Sequence, residues 1–291
     1  MSVRPVLRFA PSPNGELHLG HALSALVGYE TAQRLGGRFL LRIEDIDRAR
    51  TRQSFVDAIY RDLAWLGIRW EEPVLIQSEH FDVYRAAAGQ LRARNLLYPC
   101  FATRTEIESA AQARGGATDP DGAPLYPGLH KRMPPTEVSA RVARGEAYAL
   151  RLDMTRALTE IARSAGGSPT GFAAIEADGG SSRRKIRPEL WGDAVIVRKD
   201  VPTSYHLSVV VDDAHQGVTH VTRGNDLLPA TDLQRVLQIL LGLPEPVYHH
   251  HRLVTDPLGR KLAKSARDAS LRQLREAGAT PADIRRLVGL S

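Results

Sequence analysis

Apolar and polar positions alternate in three distinct ways over the first fifty residues. Val6-Leu7-Arg8-Phe9 is a short apolar run interrupted by one arginine, and a stretch rich in Pro, Ser, Asn and Gly follows it at 10–15. That pattern predicts a strand running into a loop. Leu19, Ala22, Leu23, Leu26, Val27 and Ala32 then recur at helical spacing, which predicts a helix from about 17 to 35. Gly36-Gly37 stops it. Phe39-Leu40-Leu41-Arg42-Ile43 predicts a second strand, ending at Glu44-Asp45-Ile46-Asp47. Strand, helix and strand make a βαβ unit, so a parallel sheet is expected. Ligands then sit beyond the carboxyl ends of its strands, where Arg8 and Glu44 lie.

Further along, 54–68 and 79–95 read as amphipathic helices. From 103 to about 190 short helical stretches alternate with Gly- and Pro-rich breaks, which reads as an insertion or second subdomain. Strand-like runs resume at 193–198 and at Ser208-Val209-Val210-Val211. A helix follows at about 228–241, and 280–291 reads as one short helix. The expected organisation is a catalytic domain in two halves, 1–102 and 191–245, split by a 103–190 insertion. A loop region and short helical tail occupy 246–291.

The bulk numbers narrow the class. A chain of 291 residues with 43% apolar and 25% charged residues fits a globular protein with a sizeable core. No apolar run approaches the ~20 residues of a membrane span, and the N-terminus has no secretory apolar region. A cytoplasmic protein without a membrane partner is expected, and as a monomer. Cys100 is the only cysteine, which excludes an intrachain disulfide and a cysteine-rich zinc site. Residues 251–291 hold nine basic and four acidic side chains, whereas 191–250 hold four basic and seven acidic. The basic end suits phosphate, and equally a solvated helix rich in arginine.

Two short stretches carry the candidate chemistry. His18 and His21 lie three apart at a helix start, so they share one face. A helix N-terminus already attracts phosphate through unpaired N–H groups and its dipole, and two imidazoles add donors. Gly20 between them lets a flat ligand approach the backbone. A capping histidine beside a core histidine would give the same spacing. Lys261 and Lys264 flank a small-residue loop after Asp256-Pro257-Leu258-Gly259-Arg260. Their ammonium groups suit charge building on a phosphate as pyrophosphate leaves; a solvated surface loop would look alike.

Taken together and in this order, Arg8–His21 and Lys261–Ser265 resemble the nucleotide-handling signatures of class I aminoacyl-tRNA synthetases, in their glutamate/glutamine branch. The resemblance spans 4–270 and is densest at 8–21, 39–48 and 191–265. It implies an α/β fold: a Rossmann-like parallel-sheet catalytic core with an inserted α+β subdomain and a short helical C-terminal tail. It implies ATP bound by His18, Gly20, His21 and Lys264, with His18, His21, Lys261 and Lys264 as the catalytic set and Mg²⁺ accompanying ATP. It implies a glutamate pocket made by Arg8, Phe9, Ala10, Pro11, Ser12, Glu44, Tyr205 and Arg223. Charge agrees, because two guanidinium groups and one carboxylate complement the two carboxylates and one ammonium of L-glutamate. Singly, Arg8–Glu44 also reads as a plain salt bridge, Tyr205 as a core tyrosine, and Arg223 as a surface partner of Asp226.

Only 26 residues follow Ser265, where full glutamyl-tRNA synthetases continue into an anticodon-binding region. Val209 and Leu227 stand where those enzymes tend to have a polar and an aromatic residue. The chain is therefore most similar to the truncated paralogues, the glutamyl-queuosine tRNA(Asp) synthetases. That resemblance implies glutamate activated without tRNA and attached to queuosine in the anticodon stem-loop of tRNA(Asp), with 103–190, and basic residues such as Arg183, Arg184 and Lys185, as phosphate contacts. Those paralogues often carry a zinc site in the insertion. Here Cys100, Tyr126 and His130 form an incomplete set against the usual four ligands, so no zinc is expected. Charging of a tRNA 3′ end, and a non-catalytic tRNA-binding protein, remain open alternatives. A nicotinamide dehydrogenase is excluded, since no G-x-G-x-x-G follows the first strand.

Overall fold

A computed structural model describes residues 4–164, 171–176, 179–254 and 269–290. Its first half winds as expected: β1 (Val6–Phe9), α1 (Leu19–Arg34), β2 (Arg38–Ile43), α2 (Gln53–Trp65) and β3 (Glu71–Ile76), followed by α3 (Phe81–Ala93). β2 pairs in parallel with β1, Arg8 opposite Leu40, and with β3 on its other edge. The middle of the chain forms β4 (Leu97–Cys100), α4 (Arg104–Gln112), α5 (Pro135–Ala143), β5 (Ala149–Leu152), α6 (Met154–Ser164), β6 (Phe172–Ile175), β7 (Ser181–Arg184) and β8 (Val195–Val197). After it come α7 (Tyr205–His215), β9 (His220–Gly224), α8 (Ala230–Leu241) and β10 (Val247–His251), then two short helices, Leu271–Glu276 and Pro281–Leu287.

The two halves meet at β1 and β9. The Thr219 N–H donates to the Val6 carbonyl at 2.9 Å, and the Val6 N–H donates to Thr219 Oγ1 at 2.8 Å. β10 lies parallel to β9 on one side and to β6 on the other. The strands thus follow the order β3-β2-β1 in one sheet and β9-β10-β6 in the next, the two sheets abutting at β1 and β9, where the winding reverses. In an open parallel sheet that reversal leaves a crevice beyond the strand ends, the usual place for a ligand.

α1 covers the crevice from one face. Its Leu23, Leu26 and Ala32 pack with Leu7, Leu41, Ile59 and Leu63 in one buried cluster, which Leu271 and Ile284 of the short terminal helices also join. Gly28 permits the close approach. A Cβ there would stand 2.8 Å from Thr222 Oγ1 and 3.2 Å from the Phe39 ring.

One expectation changes. Ser208-Val209-Val210-Val211 is not a strand but the middle of α7, where seven consecutive residues from Leu207 to Asp213 are buried. A short apolar run cannot distinguish a buried strand from a helix buried all round. The Ser204 hydroxyl caps this helix by accepting the Leu207 N–H, and packing outweighs the weak helix propensity of the valines. The one short helix expected within 280–291 is present at Pro281–Leu287, and a second short helix, Leu271–Glu276, outside the expected elements, precedes it; each starts on a reciprocal capping box, at Thr280 and at Ser270. β4 pairs with β5 and β5 with β8 in an antiparallel sheet, while β6 and β7 extend the sheet of β10.

Candidate active site

The loop after β1, the start of α1, the end of β2, the start of α7 and the ends of β9 and β10 converge on one cavity of about 570 Å³. Its size falls in the range of small-molecule sites. Arg8, Phe9, Ala10, Pro11, Ser12, His18, Gly20, His21, Glu44, Tyr205 and Arg223 all line it, with Val209 and Leu227. The Glu44 N–H donates to the Pro11 carbonyl at 3.0 Å, which ties the loop after β1 to the end of β2. Lys261 and Lys264 lie outside the described residues. The described chain on either side of them is at the cavity: Val254 is in its wall, and Ser270 bridges to His18 at its edge.

At the start of α1 the two histidines cap the helix reciprocally. His18 Nδ1 accepts the Gly20 N–H at 3.1 Å, and His21 Nδ1 accepts the His18 N–H at 3.2 Å. Both Nδ1 atoms are thus acceptors, so each neutral ring carries its proton on Nε2. Burial, and then the neighbouring His18, push the His21 pKa down to about 3. His21 is therefore an uncharged N–H donor at neutral pH. With the amide groups and dipole of α1, these rings form a donor cluster suited to phosphate oxygens. A Cβ at position 20 would press on the His18 ring at 3.0 Å, a second reason for glycine there.

The acid–base partners differ from the simplest expectation. Arg8 does not pair with Glu44. It makes a bidentate pair with Asp213 on α7, Nε to Oδ1 at 2.9 Å and Nη2 to Oδ2 at 3.1 Å. Glu44 is instead held by the fully buried Arg42, whose Nε and Nη2 both lie 3.3 Å from Oε1. Arg42 Nη2 also reaches Asp213 at 2.8 Å, and its Nη1 reaches Gln216 at 2.9 Å. Burial alone would raise the Asp213 pKa, but Arg8 and Arg42 carry it below the usual carboxylate range. At Glu44 burial prevails over the same two cations, and its pKa is raised. An ammonium group brought to Glu44 would stabilise its ionised form.

Arg223 is buried and is not a surface partner of Asp226. Its Nη1 donates to Gln234 at 2.8 Å, its Nη2 to Thr231 at 2.5 Å and its Nε to His250 at 3.3 Å. No carboxylate among the described residues forms an ion pair with it. A buried guanidinium without a counter-ion is costly unless a ligand supplies one, and this one lines the cavity. Tyr205, the first residue of α7, lines the cavity with Glu44 and Arg223, and burial raises its pKa.

Cys100, Tyr126 and His130 do meet, through hydrogen bonds. Cys100 Sγ donates to the Tyr126 hydroxyl at 3.2 Å, the His130 N–H donates to the same oxygen at 2.9 Å, and His130 Nδ1 accepts the N–H groups of Phe101 and Ala102. Among the described residues no group of three His, Cys, Asp or Glu side chains is placed to hold a metal ion. Arg183 and Arg184 are engaged by Glu245 and Glu176, which reduces their charge available to phosphate; Lys185 is exposed.

Residues 4–290 match the family of class I tRNA synthetases (E and Q), catalytic domain. This chain belongs to that family. It is 49% identical over 98% of its length to the whole of a Glutamyl-Q tRNA(Asp) synthetase from Rhodobacter capsulatus. It is 40% identical to one from Symbiobacterium thermophilum, over 95% of this chain and 83% of that protein. Among solved structures it is similar to a glutamate tRNA ligase from Elizabethkingia meningosepticum in complex with its amino acid, with a TM-score of 0.72 and 27% identity, over 95% of this chain. The chain spans 54% of that larger ligase. The α/β architecture with its parallel sheet is thus the catalytic core of a class I synthetase. Sequence reasoning missed Arg42, Asp213, Thr231, Gln234 and His250, although an arginine inside the apolar run 39–43 was a signal for the first of them. No helix among the described residues is long and apolar enough to cross a membrane.

Proposed function

We propose that this protein activates L-glutamate with ATP as glutamyl-adenylate and transfers the glutamyl group to the queuosine base in the anticodon of tRNA(Asp). The observation that carries the amino-acid reading is Arg223, a buried cation facing the cavity without an acidic partner among the described residues. Glu44 offers a carboxylate to the ammonium group, and Arg8, already paired with Asp213, offers its remaining N–H groups to the other carboxylate. The acceptor reading is supported by two relatives called Glutamyl-Q tRNA(Asp) synthetase, one matched over its whole length.

In the first step a glutamate carboxylate oxygen attacks the α-phosphorus of ATP, and pyrophosphate leaves. The His18 and His21 N–H groups, the start of α1 and the lysines Lys261 and Lys264 stabilise the charge on the phosphates. Mg²⁺ would be held mainly by the phosphates themselves. In the second step a queuosine hydroxyl attacks the activated carbonyl carbon, AMP leaves, and the hydroxyl proton passes to the departing phosphate or to water. Positioning and charge stabilisation suffice, so no covalent enzyme intermediate is required. The segment 103–190 would contact the tRNA. Glutamate-dependent ATP–pyrophosphate exchange in the absence of tRNA tests the first step; its absence would leave only a tRNA-binding role. Similarity to the glutamate tRNA ligase supports a second reading, charging of a tRNA 3′ end, which identification of the labelled nucleotide would separate from the first.

A further inference from the structure

The groups around Arg223 share one property: among the described residues, none of its hydrogen-bond acceptors is an acid. Gln234 Oε1 and Thr231 Oγ1 accept from its two terminal nitrogens, and His250 Nε2 accepts from Nε. The Tyr248 ring lies 5.2 Å from the guanidinium carbon and offers its π face. Gln234 and Thr231 are buried, both on α8. His250 stays neutral, because burial and then Arg223 itself push its pKa down to about 3. Its Nε2 is also 3.0 Å from Thr231 Oγ1, which closes the ring of contacts. Arg8 is treated differently, being paired with a carboxylate in the same cavity wall.

A guanidinium offers five N–H groups in a fixed plane. Three at Arg223 are taken by neutral acceptors. Neutral acceptors fix the direction of the group without cancelling its charge, whereas a carboxylate at the same place would do both. We infer that Gln234, with Thr231 and His250, is a positioning residue that holds Arg223 by neutral contacts so that its full charge is kept for a carboxylate of the substrate. The inference rests on the glutamate reading of the cavity.

Gln234→Glu is the direct test, because it preserves shape and the acceptor oxygen while adding a charge. It also supplies a partner to a buried cation, so the fold should survive. The measurement is steady-state ATP–pyrophosphate exchange with the full chain, varying glutamate and ATP separately, for Gln234→Glu, Gln234→Leu and Arg223→Ala. The expected result for Gln234→Glu is a glutamate KM raised about 10- to 100-fold, an ATP KM nearly unchanged, and a larger effect than that of Gln234→Leu. A purely structural glutamine predicts the reverse order, with Gln234→Glu nearly harmless. If Arg223→Ala raises the glutamate KM and Gln234→Glu does not, the neutral-contact inference is wrong and the pocket reading stands. If neither variant moves it, the pocket reading fails and this inference falls with it.

Discussion

Arg8 and Asp213 face each other in a buried bidentate pair, with Nε 2.9 Å from Oδ1. They come from the first strand and from a helix some two hundred residues later, so the pair also bolts the two halves of the catalytic core together. Asp213 is shared with Arg42, which in turn holds Glu44. Removing it would leave two buried guanidinium groups short of a counter-ion. Asp213→Ala should therefore cost roughly 3–5 kcal/mol of stability, read by urea denaturation. A loss below about 1 kcal/mol, the range of an exposed pair, would contradict the assignment.

Arg223 is a buried cation of the cavity with no acidic partner among the described residues. Arg223→Ala should raise the glutamate KM on the order of 100-fold while leaving the ATP KM almost unchanged, in the exchange assay. Equal effects on both substrates would refute its role as a carboxylate partner.

His18 caps α1, the proposed function also makes it a phosphate donor, and two substitutions separate these roles. Asparagine is a good N-cap but lacks the Nε2–H. His18→Asn should keep thermal stability near that of the parent and slow adenylate formation about 100-fold. His18→Ala should do the same to the rate and also lose about 1 kcal/mol of stability. Full activity in His18→Asn would leave only the capping role.

Two buried histidines fix the sign of a pH effect. His21 and His250 have folded pKa values near 3, below the ordinary 6.5. Below pH 6.5 the unfolded chain therefore binds more protons than the folded one. The contribution of these groups is complete above 6.5 and is lost as pH falls from there toward 3. Each removes up to about 1.4 kcal/mol per pH unit inside that window. Tm should fall from pH 6.5 to pH 5, and His250→Gln should make the fall shallower. An unchanged slope in the variant would show that His250 is not held neutral.

Lys264 is the remaining family-derived role. Lys264→Ala should slow adenylate formation about 100-fold with glutamate binding nearly intact; a large loss of glutamate affinity would count against it.

Much of this site was legible in the sequence, for reasons that differ from residue to residue. Residues 8–21 combine a strand, a turn-rich loop and a helix start, each with its own local signal, so the elements and the paired histidines could be read directly, whereas the pocket role of residues 9–12 came from resemblance. Arg223 and Tyr205 were found through resemblance, because nothing local distinguishes them from a surface arginine and a core tyrosine. The partners were not legible. Asp213 and Arg42 are 171 residues apart, and tertiary packing, at the β1–β9 junction and of α7 on α3, brings their elements together. Reading Val209–Val211 as strand hid the helix that carries Asp213. Gln234 and Thr231 look like ordinary polar positions of an amphipathic helix, and their importance comes from what α8 faces.

The central claim concerns where the glutamyl group goes. The measurement is transfer of labelled glutamate, with ATP, to tRNA(Asp) that contains or lacks queuosine, each with and without its terminal adenosine, followed by nuclease mapping of the label. The account predicts label in the anticodon fragment of the queuosine-containing tRNA alone, whether or not the terminal adenosine is present. Label on the 3′-terminal adenosine, or equal transfer to tRNA lacking queuosine, would contradict it.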